Sequence, residues 1–207
     1  MTISYHPGGG LSNMFRWMPF LTYAVVTAVT PGPNNLMSMA LGSRRGLWGA
    51  LPFNLGIWVG FSIVMVLCTA FCSALSALIP RIKGPMLVLG AAYMLYLAWE
   101  TFRSSDCGET NPTREGFAAG FFLQFVNPKI YLYCIMSMEA YILPHFQGRP
   151  LILGGFALLL ALIGFVFTLV WSAFGAAFQR LFSRHARAVN TVMALLLVYC
   201  AVSLFLA

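Results

Sequence analysis

The sequence predicts an all-α integral membrane protein: six transmembrane helices in two inverted three-helix repeats, with helices one and four broken. The first observation behind this prediction is composition, because 60% of the residues are hydrophobic and only 8% are charged. A soluble domain averages about 25% charged residues. The second observation is a series of six apolar runs, and the third is a proline-containing interruption in the first and the fourth of them.

The chain divides into a polar N-terminal extension, 1–14, and a single six-helix transporter-like domain, 15–207, whose repeat halves cover about 15–103 and 116–207. The extension is rich in glycine and lacks a basic start. No small-residue cleavage site follows the first apolar run, so we expect no cleaved signal peptide.

The six predicted spans are apolar runs separated by short polar stretches. In order they cover about 15–42, 51–78, 86–99, 116–143, 150–177 and 189–206. Arg44 and Arg45 are expected in a short loop after the first span, and a turn over 80–85 follows the second. The polar stretch 103–115 and the basic stretch 179–187 form the remaining long loops.

The first span is interrupted by the sequence Thr30-Pro31-Gly32-Pro33-Asn34-Asn35. Proline lacks an amide donor and clashes with the preceding turn, so the helix must break here. In hydrocarbon a broken backbone is tolerated only inside protein or beside a water-filled cavity. The interruption therefore predicts a working site, although many prolines in spanning helices only kink the helix.

The fourth span carries a second interruption at Asn127-Pro128-Lys129, and Pro128 lies 97 residues after Pro31. The same offset places the second span on the fifth. Because each half has three spans, the two halves insert in opposite orientations. This arrangement is typical of secondary transporters, in which interrupted segments at corresponding places mark the binding site.

Lysine and arginine are distributed unequally between the two sides of the predicted bundle. Seven lie on the side of the loops after spans one, three and five: Arg44, Arg45, Arg103, Arg114, Arg180, Arg184 and Arg187. Four lie on the other side: Arg16, Arg81, Lys83 and Arg149. The positive-inside rule then places both termini outside, which in a bacterial inner membrane is the periplasm.

The two interruptions predict an anion site near mid-membrane. Thr30 or Asn34 is expected to cap the second half of the first span, and Asn127 to cap the second half of the fourth with Pro128 in its first turn. Helix N-termini carry positive partial charge and free amide donors, which suit a carboxylate. Lys129 would add a full positive charge.

The predicted substrate-binding residues are those of the two interruptions together with one nearby glutamine: Thr30, Pro31, Gly32, Pro33, Asn34, Asn35, Gln124, Asn127, Pro128 and Lys129. Snorkelling is the alternative for Lys129, and its position near mid-segment fits that poorly. Glu139 is either a proton-coupling carboxylate or, as we favour, an interfacial residue. Gly56, Gly60 and the Gly154-Gly155 pair are expected to allow close helix packing rather than to bind ligand.

Several function classes find no support in the residues. The formal charge of +7 comes without a basic cluster interleaved with aromatics, so nucleic acid is not expected as a partner. We expect no metal and no cofactor, because four of the five cysteines lie in apolar runs without partner ligands. Enzyme signatures such as G-x-S-x-G and H-E-x-x-H are absent from the sequence.

The interruptions also resemble the motifs of a known transporter family. Thr30-Pro31-Gly32-Pro33-Asn34 followed by 42–46, then Phe125-Val126-Asn127-Pro128-Lys129, is similar to the two signatures of the LysE/RhtB amino-acid exporters. The run 90–99 resembles the third span of that family, and the likeness covers the chain after about Trp17. Within the family the run 123–127 and the C-terminal stretch 195–202 look most like the cysteine/O-acetylserine exporters.

This resemblance implies a multi-pass secondary exporter of a small amino acid or derivative across a bacterial inner membrane, driven by protons and working by alternating access. Alternatives are export of homoserine, threonine or lysine, or less plausibly a membrane channel or membrane-embedded enzyme. The expected partners are the amino-acid substrate, protons as coupling ion and membrane lipid. Glycine-containing faces would also permit a homodimer.

Overall fold

A computed structural model describes 15–71, 116–178 and 186–206, together with nine positions between 88 and 103: residues 88, 91, 92, 95, 96, 98, 99, 102 and 103. These parts of the chain contain helices and short connections and no strand. The predicted N-terminal extension, the turn over 80–85, half of the third span, and the loops over 104–115 and 179–185 lie outside the described residues.

The described helices follow the predicted spans closely. They are α1 Trp17–Val29, α2 Pro33–Ala70, α3 Phe117–Val126, α4 Pro128–Ser137, a π-helical turn Met138–Ile142, α5 Leu143–Phe146, α6 Pro150–Ala177 and α7 Ala186–Leu206. By length and hydropathy α2 and α6 can each cross a membrane, while α1, α3 and the stretch Arg187–Val202 are shorter apolar helices. The fold is thus all-helical wherever it is described.

The predicted loop at Arg44 and Arg45 is wrong, because both residues are helical. The chain reverses instead at a single residue of α2, Gly46, whose φ of 72° and ψ of 175° are not helical. Glycine adopts positive φ without steric penalty, so one residue can do the work of a loop. In effect α2 is two helical segments, 33–45 and 47–70, and Ser38 and Asn54 on the two segments are hydrogen-bonded.

Two interfaces beside Gly46 rely on backbone-to-backbone packing at glycine. A Cβ at Gly42 would overlap the Ser172 carbonyl of α6, and one at Gly56 would overlap the Phe117 carbonyl of α3. Gly60 also packs against α3, so the predicted role of the Gly56 and Gly60 pair is confirmed. For Gly154-Gly155 the same role stays a prediction, since a Cβ at either position would meet no described atom within 4 Å.

A buried polar network joins three helical segments at the same end. Ser38 Oγ donates to Asn54 Oδ1 at 2.7 Å, Asn54 Nδ2 donates to Ser172 Oγ at 2.8 Å, and Ser172 Oγ donates to the Ser38 carbonyl at 3.0 Å. None of the three side chains is exposed. In a membrane bundle such interhelical hydrogen bonds replace water contacts and fix the helix register.

The opposite end of the bundle is packed with large side chains rather than glycine. Phe20 of α1 lies edge-on to Phe156 of α6 with ring centroids 5.5 Å apart, and both belong to a core that includes Met138 and Ile142 of the π-helical turn. The sequence did not predict this turn, which adds one residue to the helical ladder between α4 and α5. The candidate site lies between the glycine-packed end and the aromatic end.

Candidate functional site

Both predicted interruptions are present as true breaks between helices. α1 ends at Val29 and α2 begins at Pro33, while α3 ends at Val126 and α4 begins at Pro128 after the single extended residue Asn127. Each proline sits at the first helical position, where its missing amide hydrogen and fixed φ do no harm. Pro33 and Pro128 are therefore tolerated inside the predicted first and fourth spans, because each begins a new helix.

The predicted cap of the fourth-span break is confirmed and that of the first-span break is wrong. Asn127 Oδ1 accepts a hydrogen bond from the Lys129 backbone amide at 3.1 Å, as an N-cap should. At the first break the N-cap is Gly32, and no side chain caps α2. Thr30 instead donates its hydroxyl to the Thr27 carbonyl at 2.7 Å, so its side chain satisfies a carbonyl at the end of α1.

Asn35 satisfies the carbonyl groups that the first break releases. Its Nδ2 donates to the Ala28 carbonyl at 2.8 Å and to the Thr30 carbonyl at 2.9 Å. The last carbonyls of a helix have no intrahelical partner, and in an apolar bundle they need one. Asn35 is buried and thereby holds the end of α1 to the start of α2.

Three carboxamides connect the two breaks directly. Asn34 Nδ2 donates to Gln124 Oε1 at 2.8 Å, and Asn34 Oδ1 accepts from Gln124 Nε2 and from Asn127 Nδ2, both at 3.2 Å. Gln124 also donates to the Gly120 carbonyl at 2.7 Å and is fully buried. The two motifs are some 90 residues apart in sequence and form one cluster in space.

Lys129 reaches from the second break to the first. Its Nζ donates to the Thr30 carbonyl and to Thr30 Oγ1, each at 2.9 Å. The side chain runs over Gly32, where a Cβ would lie 3.2 Å from Lys129 Cδ and 3.3 Å from Nζ. Both oxygens that hold the ammonium are neutral, and among the described residues no carboxylate, the partner that would compensate the charge most strongly, bonds to it.

A cavity of about 40 Å³ lies between the breaks. The residues that line it come from α1, both segments of α2, α4 and α6: Thr27, Ala28, Gly32, Pro33, Asn34, Asn35, Phe61, Asn127, Lys129, Ile130, Tyr133, Gly164 and Thr168. One water needs about 10–15 Å³ of such space, so the cavity has room for a few waters in this conformation.

The two helix N-termini at this cavity differ in their free donors. At α4 the Lys129 and Ile130 amides already donate to Asn127 Oδ1 and to the Asn127 carbonyl. At α2 no side chain caps the first turn, where the amides of Asn34 and Asn35 have no intrahelical acceptor. The positive end of α2 is therefore the better anion site of the two, and Lys129 lies beside it.

Six of the ten predicted residues line the cavity: Gly32, Pro33, Asn34, Asn35, Asn127 and Lys129. The other four support that wall from outside. Thr30 holds Lys129, Gln124 holds Asn34, Pro128 begins α4, and the Pro31 carbonyl accepts a weak hydrogen bond from Cys200 Sγ of α7 at 3.9 Å.

Sequence reasoning missed seven lining residues: Thr27, Ala28, Phe61, Ile130, Tyr133, Gly164 and Thr168. Thr27 and Ile130 lie within a turn of the breaks, so proximity could have found them. Thr168 was detectable as an isolated hydroxyl in a long apolar run. Phe61 and Gly164 carry no local signal, because they reach the cavity only through the packing of α2 on α6. Glu139 is exposed in the π-helical turn and does not line the cavity.

An all-helical bundle with two broken helices whose ends meet around a buried cavity is the architecture of a membrane transporter. The LysE type translocator family model matches residues 25–207, and the chain belongs to this family. It is accordingly a multi-pass membrane transporter and not an enzyme.

The names of two similar proteins agree with the family. The chain is 40% identical over 187 residues to the cysteine/O-acetylserine efflux protein of Salmonella typhimurium, covering 90% of this chain and 95% of the relative. It is 39% identical over 189 residues to the protein of the same name from Escherichia coli O157:H7, with the same coverage. No solved structure matches the chain.

Proposed function

We propose that the chain is an inner-membrane exporter of cysteine, O-acetylserine or amino acids of similar size, coupled to protons and working by alternating access. The observation that carries the proposal is the cavity between the two breaks, with the Lys129 ammonium in its wall. Relatives at about 40% identity over most of both chains are named for efflux of these two compounds. Both compounds are small and carry an α-carboxylate.

The carboxylate would bind at the uncapped N-terminus of α2, with Lys129 as counter-charge. Amides of a first helical turn and an ammonium together form a strong anion site in a low dielectric. Asn127 and Gln124 would hold Asn34 in place while the substrate is present. In this arrangement Lys129 at the second break supplies the charge, and the first turn of α2 at the first break supplies the amide donors.

The packing between halves supports the inverted-repeat arrangement. α1 packs on the N-terminal part of α6 through Phe20 and Phe156, and α3 packs on the start of segment 47–70 at Gly56. Segment 33–45 meets the C-terminal part of α6 at Gly42, and α4 meets the end of segment 47–70, where Cys134 contacts Thr69 at 3.9 Å. Thus α1 and segment 33–45 contact the start and the end of α6, and α3 and α4 contact the start and the end of segment 47–70 in the same order.

Coupling to protons, the periplasmic position of both termini and a homodimer belong to the same proposal. The positive-inside count supports the orientation, because Arg44 and Arg45 flank the tight reversal at Gly46. The glycine pair Gly154-Gly155 has no described neighbour within 4 Å and would leave that part of α6 open to lipid or a second copy. Glu139 stays an interfacial residue in this proposal, because it is exposed and does not line the cavity.

The test is counterflow in proteoliposomes with a panel of amino acids that includes cysteine and O-acetylserine, with and without a proton gradient. We expect saturable exchange of both, faster when the gradient is present. Lys129→Ala should reduce exchange about 10–100-fold, the scale of a lost charge-assisted hydrogen bond, and should leave membrane insertion intact.

Arg187→Ala is the matched control, since it removes an exposed cation from the start of α7, away from the cavity. Wild-type exchange in Lys129→Ala would refute the role of the ammonium. Flux that neither saturates nor responds to uncouplers would indicate a channel instead.

A further inference from the structure

The cavity has one apolar wall that the two helix breaks do not explain. This wall is formed by Phe61 of α2, Ile130 and Tyr133 of α4, and Gly164 of α6. The Tyr133 hydroxyl donates to the carbonyl of Ala24, a residue that does not line the cavity, at 3.4 Å. The ring faces of Phe61 and Tyr133, with centroids 6.0 Å apart, therefore present carbon rather than donors to the cavity.

Phe61 is held in this wall by a contact that only glycine permits. A Cβ at Gly164 would overlap Phe61 Cε1 and would lie 3.0 Å from Cδ1. The ring thus rests directly on the backbone of α6 and is only 5% exposed. Because a Cβ at position 164 would overlap the ring, Gly164→Ala must displace Phe61, and since both residues line the cavity its shape changes there.

We infer that Phe61, seated on Gly164, sets the length of substrate side chain that the site accepts. This inference rests on the proposed function, and it assigns the substrate's side chain to the wall opposite the charged groups. With the carboxylate at Lys129 and the start of α2, the substrate's side chain would point towards this apolar wall. A short chain ending in sulfur fits there, because sulfur makes favourable contacts with aromatic rings.

The inference predicts opposite effects for two substitutions. Phe61→Leu removes the outer part of the ring and deepens the cavity at the apolar wall. One methylene in an apolar pocket changes discrimination by about 10-fold or more. We therefore expect the ratio of kcat/KM for homocysteine over cysteine to rise about tenfold, and that for methionine to rise further. Gly164→Ala should lower the ratio of kcat/KM for O-acetylserine over cysteine, since the longer substrate meets the displaced ring first.

The control is Phe53→Leu, which makes the same change on the same helix at a buried ring that does not line the cavity. Combining Gly164→Ala with Phe61→Leu should restore the O-acetylserine ratio, because the colliding ring edge is gone. A role confined to packing predicts that Gly164→Ala lowers transport of all substrates equally and that the double variant restores all of them equally, with unchanged ratios.

The experiment measures counterflow of cysteine, homocysteine, methionine and O-acetylserine by the full chain in proteoliposomes. Unchanged ratios in Phe61→Leu, or the same change in Phe53→Leu, would overturn the inference while leaving the proposed exporter intact. If the wild type carries none of the four, the proposed function itself fails. If Phe61→Leu does not fold, Gly164→Ala alone decides, because an unaltered O-acetylserine ratio contradicts the wall.

Discussion

The hydrogen-bonded pair Asn34 and Gln124 allows a direct test that the two breaks meet. Two reciprocal bonds join the side chains, at 2.8 and 3.2 Å. Interhelical hydrogen bonds in membrane bundles average about 0.6 kcal/mol, so the pair should contribute about 1.2 kcal/mol of coupling. The double variant Asn34→Ala/Gln124→Ala should therefore lose less free energy of unfolding than the sum of the two single variants, by about 1.2 kcal/mol.

The assay is a double-mutant cycle on the free energy of unfolding, measured by reversible denaturation of the purified protein in mixed micelles. Asn34→Ala combined with Ser62→Ala is the control cycle, because the Ser62 hydroxyl donates to the Trp58 carbonyl within its own helix. Independent sites add within about 0.3–0.5 kcal/mol. A coupling below that limit for Asn34 and Gln124 would refute the convergence of the breaks.

Three further outcomes follow from the packing. Gly32→Ala should weaken apparent substrate affinity several-fold in counterflow, because the new Cβ lies against the Lys129 side chain; equal affinity would contradict the contact. Gly175→Leu should abolish recovery of folded protein in size-exclusion chromatography, since its Cβ overlaps the Met39 carbonyl, whereas Gly154→Ala should be neutral. Asn54→Ala should cost about 1–3 kcal/mol in the unfolding assay, because it removes two buried hydrogen bonds; a cost near zero would exclude the network.

Local chemistry made the breaks predictable. Pro33 and Pro128 cannot continue a helix, and Asn127 is a good cap whatever surrounds it, so both interruptions and one cap followed from neighbouring residues. The predicted cap at the first break failed because the side chains of both candidates are hydrogen-bonded to other partners. Thr30 bonds its own helix and Asn34 bonds Gln124, which leaves Gly32 at the N-cap position.

Features that depend on distant partners were not predictable in the same way. The reversal at Gly46 needs a positive φ that tertiary packing selects from the freedom glycine has. The apolar wall at Phe61 exists because Gly164 of another helix leaves room for the ring. Gly154-Gly155 shows the converse case, in which a small-residue pair that suggested close packing has no described partner. Composition and spacing cannot distinguish these two glycine sites.

Under the proposed function, the contact between Lys129 and Thr30 would link substrate binding to opening of the cavity. The ammonium is held by two neutral oxygens at 2.9 Å, and it bridges the two breaks. A carboxylate offers hydrogen bonds roughly twice as strong as those of neutral acceptors, so it can displace Thr30 from Lys129. That exchange would remove the bridge between α4 and the end of α1 at the moment of binding. The substrate would then loosen the wall that must separate for its own passage, which links recognition of the carboxylate to opening of the cavity.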